Sequence, residues 1–523
     1  MPARTGKDYI ESLKRMKPTV YLNGRLVEDV TEEPVFKGTI QSVAELYDIQ
    51  HDLRYRDFAL YESPTTGDMV SSSFLIPHSR EELVKKRQTF KLRSDHNFGF
   101  MGRTMDFMNM LVAGWYMNRE RFASRGEQFG KNAENYYEFV RENDLFLTHV
   151  LVAPQIDRSK TSAEQEDPYL HLGKVRETPE GIIVRGAKML GTMAPITEEI
   201  YCMPFGGIAP GDDAYAVTFS IPTDSPGLKL FCREPVTVQP NNRFDHPLSS
   251  RFEEMDCIAV FDDVLIPWDR VIVDGGPGSG QFINTLPSAG QVGVNQTACR
   301  MLSQMEFLCG LAMKVADCTG ITGFLHVQEK LGEMLAKLEV ARGVFYGAEA
   351  MAQELPDGTW GTTTLAAPAF HLQTMSIYRR YVEIIQLLAA GGFFQAPAEG
   401  DMLSEVERPY IDKYFRGRPG VSAEERIRIF KLAWDVTGTA FAQRVQQYVT
   451  YYSGDPIRLT ASFYLRYEKQ PLFDLVDRAL GKIGDLDIAP SPGIEGPVAV
   501  RPQNNGSTAG AYPTGSLPKP TAV

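Results

Sequence analysis

The strongest constraint on the fold is a change of sequence pattern near residue 150 and a change back near residue 275. Between these points the chain carries short runs of β-branched and aromatic residues bounded by Gly, Pro or Asp, which is typical of strands. The runs cover residues 181–186, 215–221, 228–232 and 257–261. Five or six such strands predict a compact barrel or sandwich.

Helical patterns lie on both sides of this β-region. Residues 8–140 read mostly as helix and loop, and residues 105–116 carry apolar side chains at spacings of three and four, which predicts a buried helix. The later segments 292–315, 331–345, 376–388 and 423–448 have the long apolar periodicity of an antiparallel bundle. The glycine-rich segment 274–280 lacks the spacing of a phosphate-binding loop and is interpreted as a hinge.

These patterns predict an α+β protein of several layers. The chain has 523 residues, more than the roughly 250–300 at which one hydrophobic core stops growing. We expect an N-terminal helical domain (1–148), a β-domain (149–276) and a C-terminal helical bundle (277–488). Residues 489–523 are rich in Pro, Gly, Ser, Thr and Asn, so they are predicted to form a tail, or to lie across a neighbouring subunit.

Charge and cysteine usage exclude several classes of protein. The net charge of −12 argues against nucleic acid or an anionic membrane as the main partner. The six cysteines include no CxxC pair and no zinc spacing, so we expect free thiols and no metal. No apolar run approaches the roughly 18 residues that span a bilayer, and the N-terminus has no apolar signal core. We therefore expect a soluble, cytoplasmic protein.

The stretch from residue 102 to residue 158 carries the most chemistry. Arg103 follows a glycine at its start, and His149 and Arg158 lie near its end. Guanidinium and imidazole groups among apolar and aromatic residues suit a site that holds an oxyanion beside a planar ring. The pattern leaves a plainer alternative open, in which Arg103 pairs with a carboxylate such as Asp106 and His149 is a core histidine.

Several blocks, occurring in one order, resemble a known family. The resemblance is to the oxygenase component of two-component, reduced-flavin-dependent aromatic monooxygenases, the 4-hydroxyphenylacetate 3-hydroxylase and chlorophenol monooxygenase group, and it extends to about residue 480. The blocks are GRTMDF (102–107), PQIDR (154–158) after His149, GAK (186–188) before Thr192, HPLSSR (246–251), FDDVLIPW (261–268) and YSGDP (452–456).

The resemblance implies an acyl-CoA dehydrogenase-like fold with an N-terminal helical domain, a central β-barrel and a C-terminal four-helix bundle that assembles homotetramers. Such enzymes take FADH2 from a separate flavin reductase, react it with O2 to a C4a-hydroperoxyflavin and hydroxylate a phenol ortho to its hydroxyl. The sequence has no recognisable nicotinamide-binding βαβ motif, which agrees with a need for a reductase.

The resemblance also implies roles for individual residues. Arg103 and His149 match the residues that hold the phenol oxygen, where a permanent cation favours phenolate and an imidazole exchanges a proton. Phe107, Pro204 and Phe205 match positions that line the substrate. The residues that match flavin contacts are Gln155, Ile156, Asp157, Arg158, Thr192, Arg444, Asp455, Pro456, Ile457 and Arg458. For Arg158, Arg444 and Arg458 an ordinary ion pair stays open as the alternative.

Three departures from the family bear on the substrate. Phe107 replaces a frequent tyrosine, so activation of the phenol would depend more on Arg103 and His149. Pro204 and Phe205 stand where the hydroxyphenylacetate enzymes have a Ser–Thr pair, and an apolar pair cannot satisfy a buried carboxylate. We therefore expect a phenol that lacks this carboxylate or carries it elsewhere. Residues 294–296 read VNQ where chlorophenol enzymes carry a histidine, which disfavours dehalogenation.

Four other classes of protein compete with this interpretation. One is an acyl-CoA dehydrogenase-like flavin oxidoreductase, and another is a halophenol- or nitrophenol-removing monooxygenase of the same family. An iron–sulfur 4-hydroxybutyryl-CoA dehydratase is disfavoured because no cysteine precedes residue 202. The last is a helical scaffold without catalysis.

Overall fold

The computed structural model describes residues 3–239, 241–286, 294–362 and 365–482. The predicted tail over residues 489–523 lies outside these ranges. No helix among the described residues combines the length and the apolar character needed to cross a membrane.

Strands occur mainly in the middle of the chain. They are β1 (Thr19–Leu22), β2 (Arg25–Val27), β3 (Leu60–Glu62), β4 (Met69–Ser71), β5 (Leu147–Val150), β6 (Gly173–Thr178), β7 (Gly181–Thr192), β8 (Glu199–Cys202), β9 (Val217–Pro222), β10 (Leu228–Cys232), β11 (Asp256–Pro267), β12 (Val271–Asp274), β13 (Gln353–Glu354) and β14 (Trp360–Gly361).

Helices occupy both flanks. They are α1 (Gly6–Arg15), α2 (Pro34–Asp48), α3 (Arg56–Ala59), α4 (Arg80–His96), α5 (Met105–Met117), α6 (Arg119–Ala123), α7 (Glu127–Asn143), α8 (Ser279–Ile283), α9 (Val294–Cys318), α10 (Leu325–Ala350), α11 (Ala366–Ala389), α12 (Glu399–Leu403), α13 (Arg408–Tyr414), α14 (Ala423–Thr437), α15 (Ala440–Tyr451), α16 (Pro456–Arg466) and α17 (Gln470–Ala479). Short 3₁₀ turns cover Ile49–His51, Ser72–Phe74, Ala194–Ile196, Asp213–Tyr215, Trp268–Arg270 and Ala390–Gln395.

The described strands form two main sheets rather than the predicted closed barrel, which is a correction. One sheet has the order β2-β1-β10-β11-β7-β6 and the other has the order β12-β9-β8-β5. Each sheet ends in edge strands, so neither closes on itself. Strand β5, which carries His149, is an edge strand paired in parallel with β8.

The first sheet includes two strands from the N-terminal part of the chain. Strands β1 and β2 form a hairpin around Asn23 and Gly24, whose φ values of 50° and 77° suit a two-residue turn. Strand β1 then pairs in parallel with β10. This hairpin was not predicted from the sequence, and the predicted boundary between residues 148 and 149 falls inside β5.

Two long antiparallel strands bring the site residues together. Strands β7 and β11 pair along twelve-residue lengths with irregularities near Ala259 and Val264. The register places Thr192, at the end of β7, opposite Asp256 at the start of β11. Thr192 and Asp256 thereby form a polar pair, to which Arg444 of a later helix also donates.

The helical segments predicted after the β-region are confirmed, with one change. Helices α9, α10 and α11 pack on one another, and α9 also packs on α4. The predicted segment 423–448 is two helices, because the chain breaks at Gly438 and Thr439 caps α15 by accepting from the backbone amide of Ala442. Tyr448, in the last turn of α15, contacts Gly102 and Arg103 in the loop before α5.

Candidate active site

The loop before α5 is fixed by a buried carboxylate. The backbone amides of Gly102 and Arg103 both donate to Oε1 of Glu254, at 2.6 Å and 2.9 Å. Glu254 is fully buried and lies just before β11. Because one carboxylate oxygen accepts from two successive amides, the backbone at Arg103 has a defined orientation.

The Arg103 side chain packs among aromatic rings. Its Nη1 donates to the Tyr448 hydroxyl at 2.5 Å, and Nη2 donates to the Tyr452 carbonyl oxygen at 3.4 Å. The guanidinium carbon lies 4.2 Å from the centre of the Phe107 ring, and Nε is buried without a hydrogen-bond partner. No carboxylate of a described residue contacts this guanidinium.

The alternative in which Arg103 pairs with Asp106 is therefore wrong. The Asp106 carboxylate accepts instead from the Thr104 hydroxyl and, at 3.4 Å, from the Gln296 amide. Burial raises the pKa of Asp106. The positive charge of Arg103 thus has no carboxylate partner in the described part of the chain.

His149 faces this cluster from strand β5. Its ring lies 5.7 Å from the Phe107 ring, and neither ring nitrogen has a hydrogen-bond partner among the described residues. Burial, together with the Arg103 charge, holds the pKa of His149 well below its usual range. The imidazole is therefore neutral near pH 7, with one nitrogen able to accept a proton and the other able to donate one.

A buried ion network lies beside these residues. Arg444 in α15 donates from Nη1 to Glu254 at 2.6 Å, and from Nε and Nη2 to Asp256 at 3.0 Å and 2.8 Å. The Thr192 hydroxyl donates to Asp256 at 2.7 Å. Two predicted flavin contacts, Thr192 and Arg444, are thus joined through one carboxylate, and Glu254 connects them to the backbone of Arg103.

The other predicted flavin contacts lie in exposed segments. Residues 155–158 follow β5, and their loop is anchored where a ring nitrogen of His171 lies 3.0 Å from the Pro154 carbonyl oxygen. Asp455 caps α16 by accepting from the backbone amide of Arg458 at 3.0 Å, while the Ile457 side chain is 79% exposed. Pro456 is the first residue of α16.

The predicted substrate residues of the β-domain approach one of these segments. Pro204 is buried two residues after the end of β8, and Phe205 is 41% exposed. A Cβ atom on Gly454 would lie 3.4 Å from Cζ of Phe205, so the Phe205 ring borders the segment that leads into Asp455. The loop after β8 therefore lies next to the segment just before α16.

Three residues of this cluster were missed by the sequence analysis: Glu254, Asp256 and Tyr448. Tyr448 lies four residues after Arg444, a spacing that places both on one face of a helix, so the sequence held a weak signal for it. Glu254 and Asp256 had no comparable local signal. Among the described residues, no group of three His, Cys, Asp or Glu side chains is arranged to hold a metal ion.

The neutral state of His149 predicts a pH dependence of stability. Because its folded pKa lies below the unfolded value of about 6.5, the unfolded chain binds a proton that the folded chain does not, and stability falls as pH drops below that value. His149→Gln should reduce the slope of unfolding free energy between pH 6 and pH 5 by up to about 1.4 kcal/mol per pH unit. Urea titrations at several pH values measure this. His326→Gln, at an exposed position of α10, is the control, and equal slopes in His149→Gln and the unaltered chain would contradict the prediction.

Comparisons with known proteins give this arrangement a context. Residues 5–273 match the family described as 4-hydroxyphenylacetate 3-hydroxylase N terminal, and residues 288–481 match 4-hydroxyphenylacetate 3-hydroxylase C terminal. The chain is 37% identical over 469 residues to the 4-hydroxyphenylacetate 3-monooxygenase oxygenase component of Thermus thermophilus, which covers 90% of this chain and 95% of the relative. It is 33% identical over 460 residues to the 4-nitrophenol 2-monooxygenase, oxygenase component, of a Rhodococcus species, which covers 86% of each.

Solved structures give the same result. A crystal structure of the oxygenase component of 4-hydroxyphenylacetate 3-monooxygenase, complexed with FAD and 4-hydroxyphenylacetate, is similar with a TM-score of 0.86 and 37% identity. The match covers 92% of this chain and 98% of that one. An archaeal 4-hydroxybutyryl-CoA dehydratase, at 22% identity and a TM-score of 0.82, shares the fold.

Proposed function

Because the chain belongs to the 4-hydroxyphenylacetate 3-hydroxylase family, a group of flavin-dependent aromatic monooxygenases, we propose that it hydroxylates a phenol at the carbon ortho to its hydroxyl. The observation that carries this reaction is the arrangement of Arg103, Phe107 and His149. The Arg103 guanidinium carbon and the His149 ring lie 4.2 Å and 5.7 Å from the centre of the Phe107 ring. Among the described residues, the guanidinium has no carboxylate partner and the two imidazole nitrogens have no hydrogen-bond partner.

The two polar side chains have complementary roles toward the phenol. Arg103 carries a permanent charge in a buried place, so it favours the phenolate form of a phenol bound beside it. The unprotonated nitrogen of His149 accepts a hydrogen bond from the phenol hydroxyl, because the low pKa of the ring keeps that nitrogen free of a proton. This hydrogen bond, together with the Arg103 charge, makes the ortho carbon more electron-rich, as attack by an electrophilic oxygen requires.

FAD fits the residues that the family resemblance assigns to it. Arg158 and Arg458 are exposed cations in surface segments, which suits a pyrophosphate, and Thr192 presents a buried hydroxyl held by Asp256. When bound in its reduced form, FAD supplies the electrons that activate O2. All three guanidinium nitrogens of Arg444 donate to Glu254 or Asp256. We therefore infer that Arg444 positions Thr192 through Asp256.

The proposed partners of the chain are a flavin reductase and further copies of the chain itself. We propose that a separate flavin reductase supplies FADH2 and that the chain assembles into a homotetramer. An exposed apolar face on α16 and α17 supports assembly, and it includes Leu465, Leu472, Phe473 and Val476. Sedimentation equilibrium of the full chain tests this, and a monomer at micromolar concentration would contradict it.

The apolar character of Pro204 and Phe205 supports a substrate without the carboxylate of 4-hydroxyphenylacetate. Neither side chain can pair with an acidic group, and a buried carboxylate without a partner costs several kcal/mol. We therefore expect neutral para-substituted phenols to be turned over with a higher kcat/KM than 4-hydroxyphenylacetate.

The test is product analysis with ¹⁸O2, FADH2 from a flavin reductase, and a panel of phenols with and without a carboxylate. We expect one ¹⁸O atom at the ortho carbon of the preferred phenol. The double variant Pro204→Ser, Phe205→Thr should shift preference toward 4-hydroxyphenylacetate, with the single variant Pro204→Ala as its control. If every phenol yields hydrogen peroxide and no ¹⁸O-labelled catechol, the proposed reaction is wrong.

A further inference from the structure

Tyr448 provides the strongest contact of the Arg103 side chain. Its hydroxyl accepts from Nη1 of Arg103 at 2.5 Å, whereas the carbonyl oxygens of Gly102 and Tyr452 both lie 3.4 Å from guanidinium nitrogens. A short bond to a charged donor is stronger and more directional than these long contacts. The orientation of the guanidinium therefore depends mainly on one phenolic hydroxyl of the protein.

The surrounding residues hold this hydroxyl in place. A Cβ atom on Gly102 would lie 2.0 Å from the Tyr448 hydroxyl oxygen, so glycine leaves the space that the hydroxyl occupies. On the other side, the Arg444 guanidinium carbon lies 5.0 Å from the centre of the Tyr448 ring. Arg444 is itself fixed by Glu254, which also accepts from the Gly102 amide. Tyr448 is thus fixed by the same network that fixes the loop of Arg103.

The cluster otherwise has few polar groups to orient Arg103. Phe107 faces the guanidinium with an apolar ring at 4.2 Å, and no carboxylate among the residues described contacts it. A long, flexible side chain needs such a partner to present its donors in one direction.

We propose that Tyr448 is a positioning residue, which holds the Arg103 guanidinium toward the phenol oxygen of the substrate so that the bound phenol is ionised. This inference rests on the proposed function, since it concerns the phenol of that reaction. The flavin need not be present for its effect to be seen, because ionisation of the phenol depends on the protein's own charges.

The test uses 4-nitrophenol, whose phenolate is yellow, bound to the full chain without flavin. In the variant Tyr448→Phe we expect the apparent pKa of the bound phenol to rise by about one unit, equivalent to a ten-fold loss of phenolate preference, the size of one hydrogen bond to a charged group. With flavin and O2, kcat/KM should fall about ten-fold, and the pH profile of kcat, which reports groups of the enzyme–substrate complex, should move to higher pH by about one unit. Tyr451→Phe removes a hydroxyl from an exposed ring of the same helix and is the matched control.

A second variant covers the case in which Tyr448→Phe does not fold. Gly102→Ala keeps the tyrosine but places a methyl group where its hydroxyl lies, so it should raise the same apparent pKa. If both variants ionise bound 4-nitrophenol as the unaltered chain does, or if they ionise it more readily, the role of Tyr448 is refuted. Failure of the unaltered chain to hydroxylate any phenol would instead count against the proposed function. The flavin-free titration measures only ionisation of the bound phenol, so its result does not depend on hydroxylation.

Discussion

Replacing Arg103 with alanine is expected to weaken productive phenol binding by about 2–3 kcal/mol, roughly a 30- to 150-fold loss, which is the contribution of a charge-assisted contact. The expectation follows from the environment of the guanidinium. It is 6% exposed, contacts no carboxylate of a described residue and lies against the Phe107 ring. Its charge is therefore poorly screened by solvent and is not paired with a carboxylate of a described residue, so it would stabilise a bound phenolate.

Steady-state kinetics and direct binding separate this role from a structural one. In Arg103→Ala, kcat/KM for the phenol should fall while the dissociation constant of FAD, measured by fluorescence, stays near that of the unaltered chain. Arg54→Ala removes an arginine whose side chain is 73% exposed and is the control. Unchanged turnover in Arg103→Ala would contradict the assignment, and equal losses of phenol and FAD binding would indicate a disturbed fold.

The sequence singled out residues that the structure brings together, but it did not indicate which other residues hold them in place. The resemblance singled out Arg103, Phe107 and His149, and these three lie together in the structure. The partners that orient Arg103 could not be predicted, because Tyr448 lies 345 positions away and bonds it through a contact that no local pattern encodes. Which residues form hydrogen bonds across long sequence distances depends on how the layers pack, and the periodicity of apolar residues does not indicate this packing.

In the β-region, the sequence likewise predicted individual strands but not how they pair. Alternating and β-branched runs identified strands at 181–186 and 257–261, now parts of β7 and β11. The predicted barrel failed because closure depends on which edges pair, and here the hairpin of β1 and β2 covers the free side of β10. By contrast, the break between α14 and α15 could have been predicted, since Gly438 followed by Thr439 is a helix stop and a cap in succession.

Replacing Arg444 with alanine should cost about 3–5 kcal/mol of unfolding free energy in the flavin-free chain, because it leaves the buried carboxylate of Glu254 without a cation and leaves Asp256 with Arg233 alone. Urea unfolding followed by circular dichroism measures this. Arg185→Ala, which breaks an exposed pair with Asp263, should cost less than about 1 kcal/mol and is the control.

The alternative role of Arg444, direct contact with the flavin, makes a different prediction. A flavin ligand that is not needed for folding would leave stability unchanged and weaken only FAD binding. If the ion network dominates, adding Glu254→Gln to Arg444→Met should recover most of the lost stability, since it removes the charge that is left without a cation, while Asp256 keeps its pair with Arg233. Recovery of stability would not restore phenol turnover, because Glu254→Gln also weakens the two hydrogen bonds that the backbone amides of Gly102 and Arg103 donate to residue 254.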